Sequence, residues 1–351
     1  MSNGCCYRPY LRMKKYCLWL TVAGMLLLQV PAKAQDPHFS QFFASPMSLN
    51  PAFTGLFDGD VRFSANYRSQ WSSISTPFTT ATAAVDMGIL GNVIPYNDVW
   101  GVGVMTLYDQ TGGGGLRNSY IGLSTAYHKG LDQEGSKSLA VGFQFAYDWE
   151  ALDYSRLLFE NQLTNLGFDP SMPSGEYFPN SSVSFADYNV GLLYNASVGK
   201  FGNYYAGASY YHISRPNVSF LGEDYVLPSR VTFHGGGGFA PTDLTRVYLS
   251  GLYMNQGSAN EVDLGGAFGF VINNQPMNAN LLYIGSWYRV NDAINPYVGL
   301  EVNNLHIGIS YDINVSALHA ASNYRGGFEL SLIYIYKQPG ANARGINCPK
   351  F

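Results

Sequence analysis

Charge is scarce in this 351-residue chain: Asp, Glu, Lys and Arg together make up 13%, about half the usual share. A soluble chain of this size normally covers its surface with such residues, so an ordinary water-facing exterior is hard to build here. Cysteine is nearly missing as well. The four stand at 5, 6, 17 and 348, and only Cys348 lies beyond residue 34, which excludes an intramolecular disulfide framework for the rest of the chain. Beyond residue 34 no apolar run has the length of a transmembrane helix. A net charge of −4 without basic clusters speaks against a nucleic-acid partner. His38, His128, His212, His234, His306 and His319 are scattered, with no metal-ligand spacing. His234 is followed by Gly235–Gly238, which mimics an oxyanion element, but no G-x-S-x-G accompanies it. Close packing in a strand explains those glycines better. Gly112–Gly115 lacks the Lys and Ser/Thr of a phosphate loop. Asp148 and Glu150 share one face of a strand, as a solvated interior would permit. No catalytic, metal or cofactor-binding residue is assigned, and the chain is read as a non-enzyme.

What is present is aromatic and small: 15% Phe, Trp and Tyr, with 27 tyrosines and 39 glycines. Mean hydropathy is −0.05, because apolar and polar residues alternate and cancel. Residues 1–34 read as a signal peptide, with Met13 the better start, Lys14 and Lys15 as a basic flank and 17–30 as a short apolar region. Ala32-Lys33-Ala34 is the cleavage pattern, leaving Gln35 first in the mature chain.

Period-two alternation then runs through the chain. In 138–150, Leu139, Val141, Phe143, Phe145, Tyr147 and Trp149 oppose Gly142, Gln144, Ala146, Asp148 and Glu150. Similar segments fall at 60–71, 78–90, 99–109, 119–129, 185–198, 203–213, 230–240, 245–255, 260–272, 278–290, 294–302, 305–313 and 324–337. That makes about fourteen strands of the length needed to cross hydrocarbon. The expected fold is all-β: a transmembrane antiparallel up-and-down β-barrel over 60–337. With periplasmic N- and C-termini, the long connections 151–184 and 214–229 fall on the outer side and the short turns on the inner, as in such barrels. A soluble β-sandwich also alternates, but would show charge on its polar face; here that face is Gly, Ser and Asn with few Lys.

Residues 35–59 fit neither pattern. Pro37, Pro46 and Pro51 remove backbone donors and exclude an interior strand, yet Phe39, Phe42, Phe43, Met47, Leu49, Phe53, Leu56 and Phe57 are too apolar to float in water. The expectation is a compact plug inside the barrel or beneath its periplasmic mouth, with Asn50 hydrogen-bonding the inner wall. Its motif is Leu49, Asn50, Pro51, Ala52 and Gly55. The tail 338–351 is a second candidate seal.

The stretch QDPHFSQFFASPMSLNPAFTG, 35–55, with NYRSQW at 66–71 and NCPKF at 347–351, resembles the PorP/SprF family of type IX secretion-associated outer-membrane proteins. The resemblance implies an outer-membrane barrel of the type IX secretion and gliding machinery in Bacteroidota, bound by outer-membrane lipid. The partners it implies are other secretion-apparatus subunits, or a secreted adhesin whose C-terminal domain the barrel retains at the cell surface. The Asn-Pro-Ala element is also similar to FadL-type transporters, which makes passive uptake of a small hydrophobic molecule the alternative. For partner binding, the candidates are apolar residues of the two long connections: Tyr154, Leu158, Phe159, Phe168, Tyr177 and Phe178 in the first, Phe220 and Tyr225 in the second. Residues 153–166 are expected to form a short helix.

Overall fold

The computed structural model describes residues 35–338 apart from 114, 199–201 and 276–277. Residues 1–34, expected above to be a signal peptide, Cys348 and nearly all of the tail lie outside the described residues. Alternating β-branched and aromatic residues form fourteen long strands that close on themselves. They are β1 (Val61–Gln70), β2 (Phe78–Ile89), β3 (Val99–Thr111), β4 (Leu116–Gly130), β5 (Lys137–Leu152), β6 (Ser182–Val198), β7 (Gly202–Tyr211), β8 (Arg230–Thr242), β9 (Thr245–Gln256), β10 (Ala259–Gln275), β11 (Asn278–Arg289), β12 (Ala293–Val302), β13 (Leu305–Asn314) and β14 (Arg325–Tyr336). Each strand pairs antiparallel with its chain neighbours. The barrel closes where β1 meets β14, from Val61 opposite Tyr336 to Gln70 opposite Gly327. The barrel itself leaves no strand edge open, which is what allows backbone polar groups to cross hydrocarbon.

The burial pattern is the reverse of a soluble protein's. On β5, Leu139, Val141, Phe143, Tyr147 and Trp149 are exposed on the outside, while Ala140, Gln144, Ala146 and Asp148 are buried inside. On β1, Phe63 and Tyr67 point out, and Arg62, Ser64, Asn66 and Arg68 point in. A sandwich would hide the first set. The outer face is a continuous apolar wall with tyrosines, so hydrocarbon is its natural solvent.

The barrel ends differ. At one end lie the described connections 71–77, 112–113, 153–181, 212–229, 257–258, 290–292 and 315–324; at the other lie 90–98, 131–136, 243–244 and 303–304. These are called the long-loop end and the short-turn end. The helix expected at 153–166 does not form. Tyr154–Arg156 and Glu160–Gln162 are single 3₁₀ turns, and Leu163–Thr164 pairs with Gly167–Phe168 as a small hairpin. The Thr164 hydroxyl donates to the Gly167 carbonyl at 2.6 Å, and Gly167 sits at φ 116°, a turn that a helix cannot contain.

The lipid-facing assignment is testable. Leu123, exposed mid-strand on β4, replaced by Arg should cost about 2–4 kcal/mol, against about 0–1 kcal/mol for Leu131→Arg in a short turn. Equilibrium unfolding in lipid vesicles measures both, and equal costs would contradict the assignment.

Candidate functional site

Residues 36–57 occupy the lumen along its length. Asp36 lies beside Gln256, His212 and Arg230 at the long-loop end, whereas Asp60 joins Tyr336 at the short-turn end. The first described residues therefore stand at the end opposite to the start of β1. The expectation of a periplasmic N-terminus does not place them there, because periodicity locates strands and says nothing about which way a preceding segment threads. Between these points Phe42–Ala44 and Pro51–Phe53 are 3₁₀ turns flanking a one-turn helix, α1 (Pro46–Leu49). Pro46 and Pro51 each open a turn, where a missing N–H costs nothing.

Three charged clamps on the wall hold this backbone. At the long-loop end the Asp36 carboxylate meets His212 Nε2 at 2.7 Å, Arg230 Nη1 at 3.1 Å and Gln256 Nε2 at 2.8 Å. His212 Nδ1 also faces Asp187 at 2.9 Å, and Arg230 Nη2 donates to the Ser48 carbonyl at 3.2 Å. The second clamp is Arg68 with Asp312 and Glu329, at 2.7 and 3.1 Å. Arg68 donates to the His38 carbonyl at 2.6 Å, and Glu329 accepts the amides of Ser40 and Gln41 at 2.7 and 2.9 Å. The third, near the short-turn end, is Arg62 with Asp86 at 2.8 Å. Arg62 donates to the Phe53 and Leu56 carbonyls, and Asp86 accepts the Gly55 amide at 2.7 Å. A buried ion pair repays its desolvation better when its remaining polar atoms are also bonded; here plug backbone bonds Arg62, Arg68, Asp86, Arg230 and Glu329.

Between the clamps the contacts are close and apolar. Phe42, Leu49, Ala52, Phe53 and Leu56 form one buried cluster with wall residues that include Val99, Leu193, Tyr205, Tyr283, Trp287 and Tyr297. Phe43 packs on Trp287 and Tyr297 at ring separations of 4.7 and 5.6 Å. The motif residue Asn50 is fully buried. Its Nδ2 donates to the carbonyls of Leu192 and Ala208 at 2.9 and 3.2 Å and lies 2.9 Å from His234 Nε2, while its Oδ1 accepts the Ala52 amide at 2.8 Å. Inward glycines admit the backbone. A Cβ on Gly142 would overlap Pro51 and Ala52, and one on Gly191 would overlap the Asn50 side chain. Gly55 adopts φ 78° and lies against Gly101, where a Cβ would meet Thr54. Taking Glu261 with His38, Ser124 with Thr54, Ser209 with Leu49 and Ser310 with Gln41 into account, the plug touches every one of the fourteen strands.

The clamp at Asp36 has a pH signature. Burial alone would raise the Asp36 carboxyl, but the charges of His212 and Arg230 and the bonds from His212 and Gln256 outweigh it and hold the group far below the usual range. His212, one residue past β7, is pushed up to about 10: burial opposes its charge, and the carboxylates of Asp36 and Asp187 overcome that opposition.

The loop candidates divide into two sets. Tyr154 stacks on Phe178 at 3.7 Å, and Phe159 packs on Phe178 at 5.4 Å; these three are half-buried and hold the 153–181 loop together. Gln162, buried beneath it, donates to the Met172 carbonyl at 2.9 Å and accepts the Phe159 amide at 3.0 Å. Leu158, Phe168 and Tyr177 face solvent, joined by Leu163 and by Leu166, which is 100% exposed. In the second loop Tyr225 is exposed and Phe220 half-buried; its ends are tied by the Val218 amide donating to the Tyr225 carbonyl at 2.8 Å. The clamps were not singled out from sequence. Their signal was Arg62, Arg68, Asp86 and Glu329 placed mid-strand on the polar face, where lumen solvation explained them equally well.

Two outcomes follow. Gly142→Ala should displace the plug while the barrel ladder survives, so amide hydrogens of 42–57 should exchange at least tenfold faster; Gly113→Ala, with room for its methyl, should change nothing. Unchanged exchange in Gly142→Ala would contradict the close packing. For pH, Asp36 is depressed, so its contribution is complete above its unfolded value of 3.8 and is lost on acidification below that. His212 is raised, so its contribution is complete below 6.5 and is lost as pH rises through about 10. A fluorophore at Ser48→Cys in a Cys348→Ser background should report a docked plug between about pH 4 and 6.5 and loosening on both sides. His212→Gln should remove the alkaline arm; a flat response from pH 3 to 11 would contradict the clamp.

No curated protein matches this chain in sequence. Among solved structures it is similar to the toluene transporter TodX of Pseudomonas putida, at 10% identity over 82% of this chain and 92% of that one, with a TM-score of 0.47. It is similar to a FadL homologue of Pseudomonas aeruginosa at 12% identity over 84% and 94%, with a TM-score of 0.44. It is also similar to the KdgM porin at 8% identity over 78% and 99%, with a TM-score of 0.38. A family model matches residues 32–334, nearly the whole barrel and plug, and by that match this outer-membrane β-barrel belongs to the PorP/SprF family of type IX secretion system membrane proteins.

Proposed function

We infer that this barrel acts as a non-enzymatic docking platform, which anchors or helps deliver a secreted type IX cargo protein at the cell surface through its long-loop face. The observation that carries this reading is the 153–181 loop. It is internally cross-tied by Gln162, Tyr154 and Phe178, yet presents Leu158, Leu163, Leu166, Phe168 and Tyr177 to water. Apolar side chains displayed on a pre-ordered element lower the cost of ordering on binding, which is how protein-binding surfaces reach affinity. Leu221, Tyr225 and Val226 on the neighbouring long loop are exposed in the same way.

The alternative, passive uptake of a small hydrophobic molecule, finds less support. A plug that touches all fourteen strands leaves the lumen occupied. On the outer wall, the glycines Gly235, Gly237 and Gly251 leave a groove of about 850 Å³ beside Tyr204, Phe239, Leu249 and Leu264. Behind it the ladder is unbroken, from Arg230 opposite Tyr211 to Phe239 opposite Gly202 and onward into β9, so the groove does not open a lateral path.

Removing 155–180 should release surface-held cargo into the medium while the barrel stays folded, because the loop joins β5 and β6 outside the ladder. Fractionation of cells and medium measures it. Full surface retention with a folded, loop-deleted barrel would overturn the docking role.

A further inference from the structure

The inner wall at the long-loop mouth carries negative charge that the plug does not use. Asp148 and Glu150 stand two residues apart on the inward face of β5, about 7 Å along the strand. Asp148 is only 6% exposed, and its Oδ2 has no hydrogen-bond partner among the described residues. Its cross-strand neighbours are Tyr120 on β4 and Phe185 on β6; those of the half-buried Glu150 are Asn118 and Val183. Asn118 Oδ1 is also buried without a partner among the described residues. The charges facing Asp148 are Asp187, His212, Asp36 and Glu150, three of them acidic, and His212 is bonded to Asp36 and Asp187. The arginines that point into this half of the lumen are engaged elsewhere: Arg68 with Asp312 and Glu329, Arg230 with Asp36, and Arg289 with Asp292 and Asp312. A buried carboxylate without a bonded counter-charge is unfavourable, so the pair is suited to a cation that arrives from outside. The loops above it continue the sign. Residues 153–181 and 212–229 hold Asp153, Glu160, Asp169, Glu176, Glu223 and Asp224 against Arg156 and Arg215, with no lysine, a distribution that draws a cationic group towards the mouth.

We propose that Asp148 and Glu150, flanked by Tyr120 and Phe185, form a socket at the long-loop mouth for one lysine or arginine side chain of the docked protein partner. The two carboxylates accept hydrogen bonds from its ammonium or guanidinium group, the bond that Asp148 lacks. The aromatic residues on the neighbouring strands suit both the cationic head and its apolar stem. Apolar side chains of the loops supply the rest of the contact, so the partner surface that fits this face is apolar with an isolated positive charge. The socket deepens the docking role and rests on it.

A probe with a single cation tests the socket. Acetyl-leucyl-lysyl-leucinamide and its norleucyl counterpart are titrated by saturation-transfer NMR against the full barrel, plug included, in lipid nanodiscs. The lysyl peptide should bind at least tenfold tighter. Asp148→Asn with Glu150→Gln should abolish that preference and leave the norleucyl peptide unaffected, whereas Asp132→Asn with Glu134→Gln, in a short turn, should preserve it. Equal binding of the two peptides to the native barrel overturns the socket, and so does a preference that survives the first variant or is lost in the second. Should the first variant lack the folded mobility on an unheated gel, Glu150→Gln alone replaces it; at least a threefold loss is then expected, and no loss overturns the proposal. The two readings fail separately. Cargo retained by a folded barrel lacking 155–180 overturns docking and leaves the lysyl preference standing; a missing preference with cargo released overturns the socket and leaves docking standing.

Discussion

A peptide inside a lipid-wrapped tube can place its N–H and C=O groups only against the tube wall or trapped water, and this constraint organises the interior of the molecule. Residues 36–57 contain three prolines and form no ladder, so their short turns satisfy only part of their backbone. The wall answers with charged groups whose spare donors and acceptors reach inward: Arg62 with Asp86, Arg68 with Asp312 and Glu329, and, around Asp36, Arg230 and the His212–Asp187 pair. Each set would be costly in an empty, dry lumen, because a buried charge keeps its desolvation penalty unless every remaining polar atom is bonded. Plug and wall are therefore mutually required: the plug lacks partners without the clamps, and the clamps are under-bonded without the plug.

The same logic explains why the inner wall carries glycine where a strand would gain from a larger residue. Gly101, Gly142 and Gly191 lie on neighbouring parts of the wall, and backbone of the Asn50–Gly55 stretch is pressed against them. Strand propensity is given up at those positions so that two backbones can approach. Asn50 works at that contact in both directions, donating to strand carbonyls of β6 and β7 and accepting from the Ala52 amide. One short side chain thereby stitches the plug to two strands and shapes its own turn.

Much of the architecture was legible in the residues. Period-two alternation such as Leu139–Val141–Phe143 against Gly142–Gln144 located the strands to within a few residues, since an outward position must be apolar in lipid and an inward one need not be. The prolines marked 35–59 as non-strand for a local steric reason. Less was legible wherever the deciding contact was distant in sequence. Arg68 and Glu329 are 261 positions apart yet adjacent across the β1–β14 closure, and nothing local to either distinguishes a plug clamp from a solvated lumen charge. The threading direction was hidden for the same reason, because Asp36 meets its partners through His212, Arg230 and Gln256. In the long loop, Thr164 and Gly167 formed a hairpin where a short helix was expected over 153–166; side-chain-to-backbone bonding fixes the turn there.

The long loops present apolar side chains to water at one end of the barrel, and residues 36–57 fill its interior. The central claim is that the wall and residues 36–57 hold each other in place as a fixed occupant of the lumen. Single-channel recording in planar bilayers tests it most directly, comparing the processed chain with a folded variant lacking 36–57. The account predicts no steady conductance for the processed chain and a stable open level for the variant. An equally large, steady current through both would contradict it.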